Sequence, residues 1–177
     1  MSVHSVGRIV SEHGNTVKTA STTAYLDIET SFSRSITIIG IHRPGQGTVQ
    51  LVRPEATREK TLEALDGAER LVTFNGTCFD LPVIRGELGV DLKTRFDHFD
   101  LRYACARQGL KGGLKKIEFL LGIERDTEGV DGWAAMRLWE EWGRGSKESL
   151  DLLLRYNRED IENLPLLEAK IASRSLG

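Results

Sequence analysis

The chain has 177 residues, 40% hydrophobic and 28% charged, a balance ordinary for one soluble globular domain that buries a sizeable core. Its formal net charge of −2 argues against a protein that coats nucleic acid through a global basic field, while leaving room for an enzyme whose own site is acidic. Two cysteines, Cys78 and Cys105, without a CxxC or a Cys/His cluster argue against a disulfide framework and a structural zinc site. No segment approaches the roughly 20 apolar residues of a membrane span, so the expectation is a cytoplasmic protein without a membrane partner.

Residues 1–21 are polar and small and read as a loosely ordered leader, with Val6–Val10 as a short strand candidate; residues 22–177 read as one domain. Thr23–Glu29, Ser35–Ile41 and Thr48–Val52 are β-prone runs. The turn chemistry of Pro44-Gly45-Gln46-Gly47 and the short connections predict an antiparallel meander. Helical spacing follows over Thr57–Ala68, then a short buried strand at Leu71–Phe74 and a helix opened by Pro82. Phe96–Leu101 reads as an edge strand running into a helix. The last third is helical, over Gly113–Leu121 with Gly122 as its stop, Gly132–Trp142, and residues 146–164, where Pro165 should kink or restart the helix. Strands first, then alternation, then helices predict a mixed sheet with helices on its faces, in the α/β or α+β style.

Acids stand in three places beside apolar stretches. Asp27 and Glu29 lie two apart on a strand, so both leave one face while Leu26 and Ile28 leave the other. Tyr156 and Asp160 lie four apart on the long helix and share a face with Leu153 and Leu164, a stripe on which no lysine or arginine offers Asp160 a partner. Asp80 follows Asn75-Gly76 and precedes the Pro82 helix, where capping of free N–H groups is the ordinary reading. Each feature alone has a bland reading: a half-polar strand, a solvent-edge acid and a cap. Carboxylates gathered in one place repel unless cations sit among them, and divalent ions held by carboxylates hydrolyse phosphodiesters.

Taken together the three motifs resemble the DEDD exonuclease superfamily of the ribonuclease H-like fold, in particular its DEDDy branch. Asp27-x-Glu29 matches the first motif, Asp80 after Asn75 the second, and Tyr156-x-x-x-Asp160 the third. Phe79-Asp80-Leu81-Pro82, Leu114-Lys115-Lys116-Ile117-Glu118 with Leu121-Gly122-Ile123, and Tyr156-Asn157-Arg158-Glu159-Asp160-Ile161 are similar to the YprB-like group, and the resemblance runs from about Tyr25 to Leu167. It implies a mixed sheet of three antiparallel strands followed by parallel ones. It also implies a hydrolase that removes nucleotides in the 3′→5′ direction from single-stranded DNA or RNA ends.

Asp27, Glu29, Asp80 and Asp160 would be the ligands of two Mg²⁺ or Mn²⁺ ions, with Asp80 acting through the outer shell, and Tyr156 would orient the attacking water. Thr30 and Asn75 are candidate contacts to the substrate, and so is Lys115. Residues 85–125 hold nine Lys/Arg against six Asp/Glu, while residues 126–177 hold seven against eleven, which makes the middle segment the candidate for phosphate contact. His98 reads as structural, because Tyr156 occupies the third-motif place. The cysteines read as buried small residues. Trp133, Trp139 and Trp142 are aromatic surfaces for bases or for core, with core the ordinary reading of the last two. The rival readings are a non-catalytic nucleic-acid-binding domain of the same fold and an interaction module built on the Trp-bearing helix. A protein partner could deliver substrate.

Overall fold

The computed structural model describes residues 22–174. The leader and its Val6–Val10 strand lie outside the described residues. Strands β1 (Thr23–Thr30), β2 (Ile36–Arg43) and β3 (Gly47–Val52) form the expected antiparallel meander, with Asp27 opposite Gly40 and Gly40 opposite Gln50. After α1 (Arg58–Ala64), strand β4 (Arg70–Thr73) enters parallel to β1. Helix α2 (Asp80–Leu88) then leads to the edge strand β5 (Asp97–Asp100), parallel to β4. The sheet order is β3-β2-β1-β4-β5. Helices α3 (Leu101–Arg107), α4 (Leu114–Leu120), α5 (Gly132–Gly143), α6 (Lys147–Glu162) and α7 (Leu164–Arg174) complete the domain. This is the mixed α/β sheet that the order of elements implied.

Two boundaries differ from the periodicity. Helix α1 is shorter than Thr57–Ala68, because Thr57 sits outside it as the cap and Gly67, at φ 71°, turns the chain toward β4. The long helix ends at Glu162 and a new one starts at Leu164. Pro165 cannot donate to Ile161, so the chain restarts with proline in the first turn, where its missing N–H costs nothing.

The alternation of β1 sorts its residues between two layers. Ala24, Leu26 and Ile28 pack with Leu65, Leu81 and Ile84 under α1 and α2. Tyr25, Asp27 and Glu29 leave the opposite face. Tyr25 packs there with Leu164, Leu167 and Ile171 of α7, and Ile38 of β2 packs with Leu153 and Tyr156 of α6. Leu153 and Ile161 are fully buried, each worth about 1.5–3 kcal/mol of transfer free energy. They clamp α6 across the central strands, which brings Asp160 over the acids of β1.

Candidate metal centre and cleft

Asp27, Glu29 and Asp160 each offer a carboxylate oxygen, and these oxygens lie within 4.8 Å of one another. β1 supplies two of them because it is the central strand and their spacing of two keeps both on the α6 side. Asp80 is buried beside this triad in the first turn of α2. It is not the helix cap: Phe79 holds that position, and Asp80 Oδ1 instead accepts from Ile28 N–H of β1 at 3.0 Å. The carboxylate therefore ties α2 to the strand that carries Asp27 and Glu29.

The cluster is electrostatically loaded. Burial first, then Asp80, Glu29 and Asp160, push the Asp27 carboxyl well above its usual range. Glu29 is raised by burial and by Asp160, with Lys115 opposing. Asp80 is pushed up to about 7, chiefly by burial. Asp160 is raised by burial while Arg125 and Lys115 hold it down. Protein groups thus offset only part of the repulsion, which is the condition under which hard oxygen ligands bind a divalent cation.

The two cations come from segments distant in sequence. Lys115 of α4 donates to the Tyr156 hydroxyl at 2.6 Å and lies 4.0 Å from the centroid of its ring. Burial lowers the Lys115 ammonium, against the pull of Asp160. Tyr156 is itself pushed far up by burial and by Asp160 and Glu29, so its hydroxyl keeps its proton. Arg125, from the loop after α4, hydrogen-bonds Asp160, reaches Glu118 at 2.6 Å and Glu159 at 3.3 Å. Glu118 is wholly buried, and Glu159 also receives Thr127. Sequence reasoning missed Arg125 and Glu118, which no periodicity links to Asp160.

The acids open onto a cleft of about 660 Å³ lined also by Thr30, Phe32, Arg34, Asn75, Arg102 and Tyr156. Thr30 follows a register shift at the end of β1. Asn75 adopts φ 68°, its N–H donates to Asp100 Oδ1 at 2.8 Å, and its side-chain oxygen accepts from Arg102. Buried Asp100 also accepts from Thr77 N–H at 3.0 Å, so one carboxylate shapes the whole Asn75–Thr77 turn. At the rim, Phe32 and Trp133 meet edge to face with centroids 5.7 Å apart, and Trp133 remains 61% exposed. Trp139 and Trp142 instead pack on each other at 4.5 Å. His98 bonds Thr73 at 2.9 Å, a structural position. Cys105 is buried as expected, whereas Cys78 is exposed, because its turn lies on the surface beside Tyr103. No helix among the described residues is long and apolar enough to cross a membrane.

A family model of the RNase H superfamily matches residues 24–172, and the chain belongs to that superfamily. Among solved structures it is similar to the family B DNA polymerase of the hyperthermophilic archaeon Pyrobaculum calidifontis, with a TM-score of 0.61 and 16% identity. That match covers 87% of this chain and 24% of the polymerase, so this chain corresponds to about a quarter of the larger one. No curated protein matches.

Proposed function

We propose that this chain is a DEDDy-type 3′→5′ exonuclease that hydrolyses phosphodiester bonds at single-stranded nucleic-acid ends with divalent metal. The observation that carries the reading is the triad of Asp27, Glu29 and Asp160, with ligand oxygens within 4.8 Å, at the floor of an open cleft. The residues fit Mg²⁺ or Mn²⁺: the donors are all carboxylate oxygens, and their charge exceeds what Lys115 and Arg125 supply. Asp27, Glu29 and Asp160 would hold the two ions, with Asp80 in support behind them. Bound there, the metal supplies stabilisation of phosphoryl charge and activation of water.

The protein's own groups divide the remaining work. Tyr156 accepts from Lys115, which turns its hydroxyl proton toward Asp160 and the cleft, where it orients a water by hydrogen bonding. Its part is positional, since a hydrogen bond that orients water needs no change in its protonation. Thr30 and Asn75 flank the acids and suit contacts to the terminal nucleotide, and Arg34 and Arg102 suit its phosphates. Lys115 serves Tyr156 in this arrangement. The exposed Phe32–Trp133 pair offers a stacking surface for unpaired bases.

A second reading, a binding domain without turnover, draws on one observation: Arg125 already pairs with Asp160. Degradation of 5′-labelled single strands, DNA and RNA in parallel, with Mn²⁺ or EDTA, separates the two. The exonuclease reading expects a metal-dependent ladder shortening from the 3′ end, lost in Asp27→Ala and Asp160→Asn. A folded wild type that binds Mn²⁺ and the strand without product would establish the binding domain instead.

A further inference from the structure

Asn157 is wholly buried on α6, between Tyr156 and Asp160 in sequence but directed at neither. It lies over one row of the sheet, formed by Asp27, Gly40 and Gln50, which stand directly opposite one another on β1, β2 and β3. Its Nδ2 donates to Asp27 Oδ2 at 3.1 Å, and its Oδ1 accepts from Gln50 Nε2 at 2.9 Å. The middle of the row has to be glycine, because a Cβ at Gly40 would come within 2.3 Å of Asn157 Oδ1. Gln50 is oriented in turn: its Nε2 also donates to the Leu154 carbonyl at 2.8 Å, and Arg158 donates to its Oε1 at 3.4 Å.

An amide has one accepting end and one donating end. Since Gln50 presents a donor, Asn157 has to turn its own donor to Asp27. We propose that Asn157 is a positioning residue for Asp27, its amide set by Gln50 and seated in the notch at Gly40, so that the Asp27 carboxylate is held as a metal ligand rather than left free to rotate. The inference rests on the metal-site reading above and adds to it the group that orients one of its ligands, Asp27. Groups that orient metal ligands in this way contribute about ten- to a hundredfold to metal affinity.

The test is thermal stabilisation of the full chain by Mn²⁺ titration, with the melting temperature in EDTA measured beside it. Asn157→Leu, close in volume, should raise the Mn²⁺ concentration for half the stabilisation by about ten- to a hundredfold. Gln50→Glu leaves Asn157 in place but can only accept at position 50, so the amide should flip and aim its Oδ1 at Asp27. This variant should weaken Mn²⁺ binding as well, although its added negative charge alone would strengthen it. Both Mn²⁺ midpoints equal to wild type, with only the EDTA melting temperature lowered, would mean that Asn157 merely packs and would overturn the inference. Weakening in Asn157→Leu with tighter binding in Gln50→Glu would overturn the role assigned to Gln50. A wild type that Mn²⁺ does not stabilise would overturn the metal site itself and the positioning role with it.

Discussion

Arg125 is the residue on which the electrostatic argument is most exposed to refutation. Its side chain is 7% exposed and faces Glu118 at 0% and Asp160 at 9%. Arg125→Met keeps most of the aliphatic volume and removes the charge, leaving Glu118 buried beside Asn163 with no counter-charge. Breaking a buried pair from one side costs about 3–5 kcal/mol. At roughly 2–4 °C per kcal/mol for a domain of this size, the melting temperature in EDTA should fall by about 6–20 °C. The double variant Glu118→Leu/Arg125→Met should recover much of the loss, because the stranded carboxylate is gone.

The pH dependence has a definite sign. Burial already raises Glu118, and Arg125 is what holds it down; without Arg125 its folded pKa moves further above that of the unfolded chain. The deficit is therefore smallest at low pH and grows as pH rises through the folded pKa. Differential scanning calorimetry in EDTA from pH 5 to pH 8 should show the gap to wild type widening. A fall of less than about 3 °C in the single variant, or an equal fall in the double variant, would refute the claim that Arg125 holds this cluster together.

Three further expectations test the site. Tyr156→Phe should keep the fold and its Mn²⁺ stabilisation while lowering kcat on the order of 10²-fold with KM little changed, read by steady-state nuclease kinetics; an unchanged kcat would remove Tyr156 from the mechanism. Trp133→Ala should weaken single-strand binding by about 1–3 kcal/mol, roughly five- to 150-fold, with little effect on melting; anisotropy of a labelled strand in EDTA measures it, and equal affinity would move the strand elsewhere. Asp80, at about 7 when folded and chiefly through burial, favours the folded chain below the unfolded pKa and loses that contribution as pH rises toward 7. Asp80→Asn should therefore flatten the pH dependence of melting in EDTA, and a slope identical to wild type would contradict it.

The sequence by itself determined which face Asp27, Glu29, Tyr156 and Asp160 leave. Period-two alternation put Asp27 and Glu29 on one side of a strand, and a spacing of four put Tyr156 above Asp160 on a helix; both hold in the structure. Such relations are set by backbone geometry within a few residues. Asn157 left a faint trace too, as a polar residue three and four positions from Asp160, Leu153 and Ile161 on a buried stripe.

What only the tertiary structure decided is which faces meet. Arg125 reaches Asp160 across 35 positions, Asp80 reaches Ile28 across 52, and Asn157 reaches Gln50 across 107. No local period encodes those separations. They follow from the path of the chain, in which a glycine at position 40 leaves room for an amide and a restart at Pro165 fixes where α6 stops. The acids could be read from the sequence because their spacing is local, and the groups that hold and neutralise them could not, because the contacts that recruit them exist only once the sheet and its helices have packed.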